Sequence, residues 1–545
     1  MAQSMKQSMK QSIKFLTAVL LTMTLLFLGA CGTSSSNTST VKNSIYLGLV
    51  NPPAGFNPIN NGDMAGQFAV GVMFDPFLDM TSPLKFEPKL AESITTKDNQ
   101  IYTIHLNPKA KWTDGEPITA DDVLFTFNLI ANPKSETAIG FNLSSLEGLD
   151  SSGKLTKGLS EIPNLKKVDD HTVSFKTKNP IDPNYIKEMI GTKIFTLPKH
   201  VLKDVAPEKL ANSKYMTAPD VTSGAYKFVK YSKNTFIEYQ ANNNYYLGKP
   251  KIPKLFIKIM QASNLASELE AGSIQMNVAG GVGDLPTQDV DTVKKMKTIK
   301  TSVDSQLSNF QTMMFNTANI PNAKVRQALA HAIDREKIVN KLLKGNGNFN
   351  DGPYTEMHPY YDKNLKTLDY NPDEAKQMLK EAGWDFNRTL NLVVPIGNLV
   401  RQQSADLIVQ DLKAIGVKVK ETTYDFPTIM QKGKQGDFDL LLIGLPMTVD
   451  PDTNYYYKDN SYNFMKYTNP KSDQLLEQGK KEPVPEKRKK IYSKLQAIWQ
   501  KDMPMLTLYA VDQVTAVSKD LSNGGISSFW PGSLHELQKW QYKKQ

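Results

Sequence analysis

The chain has 545 residues, 65 of them basic and 55 acidic, and a single cysteine. One thiol excludes a disulfide framework, and the length allows two or three domains of ordinary size, each held by its own core. The net charge of +10 is scattered, whereas a nucleic-acid surface gathers its basic residues in one run or on one face. The densest run, Glu486-Lys487-Arg488-Lys489-Lys490, reads as the solvated face of a polar helix, so no nucleic-acid partner is expected.

The chain opens with an export signal: Lys6, Lys10 and Lys14 precede the mostly apolar run Phe15 to Ala30. That run falls short of the about 20 residues a membrane span needs and suits a cleavable signal core. Its end, Leu28-Gly29-Ala30-Cys31, resembles the lipobox of bacterial lipoproteins. The resemblance implies that residues 1–30 are removed and that Cys31 carries a diacylglyceryl anchor. Residues 31–43, rich in Ser, Thr and Asn, read as a flexible tether to the outer face of the cell membrane. An anchor of this kind suits a Gram-positive cell.

Structure is expected from Ser44. Ile45 to Val50 reads as a buried strand, and Tyr102 to Leu106, Thr172 to Phe175, Ala225 to Val229 and Phe236 to Tyr239 alternate with period two. A helix is predicted over Val325 to Leu342 from its apolar stripe. Another spans Pro372 to Ala382, with Asn371 as N-cap and Gly383 beyond its end. Leu392 to Pro395, a helix through Leu412, and Val417-Lys418-Val419 form a strand-helix-strand unit. The fold class is α/β.

Catalytic motifs are missing. The six histidines, His105, His171, His200, His331, His358 and His535, form no local pair, and no nucleophile elbow, P-loop or EF-hand loop occurs. Gly281-Val282-Gly283 lacks the third glycine of a dinucleotide fingerprint. The acids of Trp112-Thr113-Asp114-Gly115-Glu116-Pro117-Ile118-Thr119-Ala120-Asp121-Asp122 have local uses: Asp114-Gly115 suits a turn, and Thr119 with Asp122 forms a capping box. No catalytic residue, metal or cofactor is expected.

The stretch from Trp112 to Phe127 also resembles the signature of the extracellular solute-binding proteins of oligopeptide and dipeptide ABC importers, family 5. Leu197-Pro198-Lys199-His200, Ser223-Gly224-Ala225-Tyr226 and Val325-Arg326-Gln327-Ala328-Leu329 with Ala332-Ile333-Asp334-Arg335-Glu336-Lys337-Ile338 come next in the family's order. The resemblance implies a two-lobed periplasmic-binding-protein-like fold with a hinge. Lobe I would take residues 44–70, 190–270 and 505–545, an extra subdomain 71–189, and lobe II 275–504. It also implies an oligopeptide ligand, permease subunits as partners, and a monomer without enzymatic activity.

Within that fold the ligand would meet the main chain of Ser223 and Gly224 and the segment Asn309, Phe310 and Gln311. It would also meet the loop carrying Met447, Thr448, Asp450 and Asp452. The family places the carboxylate for the peptide ammonium in this loop, shortly after a Gly-Trp pair. Here Leu445 replaces the tryptophan and the acids come later. Tyr455, with Tyr456, Tyr457 and Tyr462, reads either as cleft lining or as packing between lobes. A nickel chelate or an oligosaccharide on the same scaffold, or a surface hydrolase, are the alternatives.

Overall fold

The computed structural model describes residues 43–50, 52–61, 63–396, 398–452, 454–458, 460, 462–524 and 533–543, without the side chains of 304–309, 427, 446 and 454. Cys31 and residues 32–42 lie outside the described residues. Among those described, no helix is long and apolar enough to cross a membrane.

Strand β1 (Ser44–Leu49) is followed by a hairpin of β2 (Leu78–Ser82) and β3 (Lys85–Pro88). A small antiparallel sheet of β4 (Ala91–Thr96), β5 (Ile101–Leu106), β6 (Lys166–Asp169) and β7 (Thr172–Lys176) comes next, in the order β4-β5-β7-β6. Helix Ala120–Ala131 packs on it, and its start is the expected capping box, with the Thr119 N–H donating to Asp122 Oδ2 at 2.9 Å. The large sheet gains β8 (Tyr226–Ser232), β9 (Phe236–Ala241), β10 (Lys254–Ile259) and β11 (Met276–Asn277). It continues with β12 (Ile299–Phe315), β13 (Gly347–Asn348), β14 (Thr389–Pro395), β15 (Lys418–Tyr424), β16 (Leu440–Pro446) and β17 (Met505–Ser518). Its order is β15-β14-β16-β12-β17-β11-β1-β10-β9-β8, with β13 beside β17.

Two strands run through both halves of this sheet. Ile299 to Ser305 of β12 pair with Ser518 to Asp512 of β17, the register breaks between Ser305 and Phe310, and Phe310 to Met314 then pair with Ala510 to Met505. On one side of the break β17 pairs with β11, and on the other β12 pairs with β16.

Each half has its own core. Beyond the break the sheet is covered on both faces, as period-two side-chain alternation requires: Leu390, Leu392, Leu440, Leu442 and Met313 enter one core, Val393, Leu441, Ile443 and Met314 the other. The β1 half and the small sheet share one large core. Residues 275–299, expected in the second lobe, join the β1 half. Strand β11 pairs with β1, and helix Thr287–Lys295 shares a core with Leu265, Val514 and Ala516. Met505 to Ala510, expected in the first lobe, pack in the second half.

The strand-helix-strand unit forms as read, as helix Leu399–Ala414 between β14 and β15, with Gly416 at φ +91° closing it. The helix expected from Val325 to Leu342 is broken. Helix Ala323–His331 stops, Asp334 caps a new turn by accepting from the Lys337 N–H at 2.8 Å, and a π turn covers Ile338–Leu342. The break lets the buried Arg335 guanidinium donate to the carbonyls of Asn350, Thr507 and Leu368 and pair with Asp351 at 2.8 Å.

Candidate functional site

The register fixes where a ligand edge lies. Strand β16 is parallel to β14, β14 to β15, and Pro446 at the end of β16 pairs with Asn309 beside the register break. The C-terminal ends of all three strands therefore face the crossing. On the other side β1, β10 and β11 are mutually parallel in neighbouring pairs, and β11 runs antiparallel to β17, so their C-terminal ends face the same crossing. Crevices at the carboxyl ends of parallel strands are where α/β sheets hold ligands.

The loop after β16 enters this region, and its acids have separate surroundings. Asp450 is buried and held bidentately by Arg488, with Nη2 donating to Oδ1 at 3.0 Å and Nη1 donating to Oδ2. Arg488 Nη1 also meets Asp182 Oδ2 at 3.4 Å, across from the β2–β7 region. From that side Glu188 grips the loop backbone: its carboxylate accepts from the N–H groups of Val449 at 3.2 Å and Asp450 at 2.8 Å. Val449 packs on Met80. Burial pushes the Asp182 carboxyl up against the pull of the Asn184 N–H and of Arg488, while Arg488 is buried, which by itself would lower its guanidinium, and the Asp450 carboxylate nevertheless holds it well above its ordinary range. Removing one partner of such a buried pair costs about 3–5 kcal/mol, because the other charge is left uncompensated.

Asp452 is half-buried and accepts from the Tyr457 hydroxyl at 2.9 Å. Among the described residues no Lys, Arg or His pairs with it within 4.0 Å. Burial raises its carboxyl, and the more distant charge of Lys480 opposes the rise. Of the other loop residues, Thr448 Oγ1 donates to the Asp450 carbonyl at 2.8 Å, and Met447 Sδ receives the Thr355 hydroxyl at 3.7 Å.

Ser223, Gly224, Phe310, Gln311 and Tyr455 are buried. Ser223 is fully buried, its hydroxyl accepting from the Asp75 N–H at 2.9 Å. Gly224 donates to the Met73 carbonyl at 2.9 Å, and a Cβ there would stand 2.6 Å from the Met73 carbonyl carbon. This pair fastens strand β8 to the 73–75 segment and presents no free main chain to a ligand. Phe310 and Tyr455 are core residues. Gln311 Oε1 accepts from Arg401 Nε at 2.8 Å, and the side chain of Asn309 is not among those described. Tyr456 stacks on Trp499 at 4.0 Å within the second half, so it serves neither the cleft nor a contact between halves. Tyr462 is exposed.

Arg488 and His358 escaped the sequence reading. Arg488 lies in the basic run read as solvated, and only it is buried there while Lys487, Lys489 and Lys490 stay exposed. The one available signal was arginine among lysines, since arginine is the residue suited to buried bidentate pairs. His358 ties the loop from its own side. Its Nδ1 accepts from the Tyr360 N–H at 3.1 Å, which puts the proton on Nε2, and Nε2 donates to the Thr448 carbonyl at 2.9 Å. A second donor group, His331 with Asp369 and Glu374, brings three metal-competent atoms within 4.8 Å of one another. His331 Nδ1 there already meets the Asp369 carbonyl at 2.9 Å, and Glu374 accepts from Asn371 at 2.9 Å, so these groups are engaged with their own chain.

Burial lowers the His358 pKa from 6.5 to about 4. Between those values the unfolded chain takes up a proton that the folded chain refuses, so stability is lost as pH falls from 6.5 towards 4. The loss from this residue should approach roughly 3 kcal/mol. His358→Gln, which can still donate to Thr448 and accept from Tyr360, should flatten that part of the pH profile of urea unfolding. An unchanged profile would place the acid sensitivity elsewhere.

Comparison with known proteins agrees with this fold. Residues 85–490 match the family described as bacterial extracellular solute-binding proteins, family 5. The oligopeptide-binding protein AppA of Bacillus subtilis is 27% identical over 95% of this chain and 97% of its own length. The structure of AppA from Bacillus subtilis in complex with a nonapeptide superposes with a TM-score of 0.75 at 25% identity, covering 92% of this chain and 99% of that one. NikZ from Campylobacter jejuni, in complex with Ni(L-His), shares the fold with a TM-score of 0.74 at 24% identity over 92% and 99% of the two chains. The protein belongs to the family 5 extracellular solute-binding proteins, with their two-lobed α/β fold.

Proposed function

We propose that this protein is the lipid-anchored oligopeptide receptor of an ABC importer, closing its lobes around an extended peptide and presenting the closed form to membrane permease subunits. It works as a monomer, by binding and without catalysis of its own. The observation that carries the reading is the convergence of parallel strand ends from both lobes on the crossing of β12 and β17. The register break between Ser305 and Phe310 supplies a position where backbone angles can change while both cores stay intact. Similarity to the peptide-bound AppA structure supports the choice of ligand. Cys31 anchors the chain to the outer face of the membrane of a Gram-positive cell, an assignment that rests on its lipobox-like setting.

Asp452 is the loop carboxylate we assign to the peptide ammonium, because Asp450 is engaged by Arg488 and Asp452 has no cation within 4.0 Å among the described residues. A desolvated ammonium requires a carboxylate partner, and Pro451, whose carbonyl accepts from the Tyr354 hydroxyl at 2.5 Å, holds the backbone that aims it.

Small-angle scattering should show compaction with a mixed peptide pool and none with free amino acids, maltodextrin or nickel-histidine; compaction with only the sugar or the chelate would reassign the ligand. Asp452→Asn should weaken peptide binding by about 2–5 kcal/mol. Acetylating the peptide amino terminus should then harm the wild type far more than the variant, and equal losses would remove Asp452 from this role. Cys31→Ala should leave an unprocessed precursor that takes up no labelled fatty acid; normal maturation would refute the anchor.

A further inference from the structure

Strands β14, β15 and β16 end at Pro395, Tyr424 and Pro446, on the edge that faces the crossing. Just past these ends the chain is apolar and open. Ile396 is 51% exposed, Leu399 69% and Phe426 53%. The Ile396 N–H donates to the Tyr424 carbonyl at 2.9 Å, which sets Ile396 beside the end of β15. Leu399 and Phe426 each open a helix whose start is fixed by a side-chain cap: Asn398 accepts from the Arg401 N–H at 2.9 Å, and Asp425 from the Thr428 N–H at 2.8 Å. Leu445 and Met447, around the end of β16, are partly buried against the neighbouring core.

Single exposed apolar residues are ordinary, and none of these three is required by its local structure. Helix starts favour acidic or polar residues, since the N-terminal dipole attracts negative charge, yet neither helix has an acid in its first turn. Strand ends turning into solvent also have no need of large side chains. Of the charged groups near this edge, Arg401 donates to Gln311 at 2.8 Å and Asp450 is held by Arg488, while Asp452 has no cation within 4.0 Å among the described residues. The edge therefore offers apolar area to whatever the lobes enclose.

We propose that Ile396, Leu399 and Phe426 form the specificity surface of the cleft, receiving large aliphatic or aromatic side chains of the bound peptide. The inference rests on the peptide-binding function proposed for the cleft. Burying a leucine or phenylalanine against such a surface removes its apolar area from water, while a glutamine or serine in the same place loses hydration without a partner. The protein thus selects among peptides by side chain, beyond what backbone recognition alone would give.

The test is a titration series with short synthetic peptides on an Ala/Ser/Gly background, carrying Leu, Phe or Gln at successive positions. At one position at least, the wild type should bind the Leu or Phe peptide roughly tenfold tighter than the Gln peptide, the usual size of such discrimination. Ile396→Ser, Leu399→Ser and Phe426→Ser, singly and together, should erode that preference, leave affinity for the Gln peptide nearly unchanged, and keep the melting temperature, since all three residues are exposed. A wild type indifferent to the side chain, or a triple variant that keeps the preference, overturns the inference while peptide binding stands. Failure of every peptide to bind overturns both readings.

Discussion

The antiparallel pairing of β12 with β17 carries the architecture. Each strand is long enough to be a member of both halves of the sheet, and the register slips only between Ser305 and Phe310 and again at Gln311 and Thr312. Backbone hydrogen bonds on either side of the first slip belong to different cores, so each half can stay rigid while the slipped stretch absorbs a change of angle. Everything placed near a ligand depends on this pairing. It brings the carboxyl ends of β14, β15 and β16 opposite those of β1, β10 and β11, and a cleft between two sets of parallel strand ends results.

The loop after β16 shows how a surface between lobes is made definite. Its backbone and carboxylates are taken up by Glu188, Arg488, His358 and Tyr354, two of them on its own side through neutral or hydroxyl groups and two through charges. Buried charges are weak sources of stability but severe when mismatched, so this arrangement favours one approach of the loop to the Asp182–Glu188 segment over others. The loop acid left half-buried, Asp452, and the apolar residues at the strand ends are the groups proposed to meet a ligand.

In the proposed peptide-binding function these two kinds of group divide recognition between them. Asp452, with no cation within 4.0 Å among the described residues, would answer to a peptide's charged end, and the apolar edge to its side chains. Both depend on exclusion of water when the lobes meet, since a carboxylate–ammonium pair gains strength and apolar area leaves solvent in the same event.

Much of the fold was legible in the sequence because it is written in local periodicity. The apolar run Ile45 to Val50, the alternation in Tyr102 to Leu106, the Thr119–Asp122 cap and the Asn371 cap each depend on residues within a few positions of one another. The same local reading failed where burial is decided at long range. The stripe from Val325 to Leu342 is helical in pattern, but the helix ends at His331 and Asp334 caps a new turn, which sets Arg335 against the Thr507 carbonyl. Ser223-Gly224 has the small residues of an exposed main-chain site, yet the 73–75 segment lies directly on it.

By itself, then, the sequence determined the α/β class, the family resemblance, the caps and the location of the acid-bearing loop, all of which are local patterns or ordered runs of them. Only the tertiary structure decided which acid of that loop is engaged and which has no cation within 4.0 Å among the described residues, because Arg488 comes from 38 residues away and Glu188 from more than 260. It also decided that Ile396, Leu399 and Phe426 share one edge. Hydrophobicity along a chain says how much apolar area exists, while the pairing of strands decides whether that area is buried in a core or turned towards a ligand.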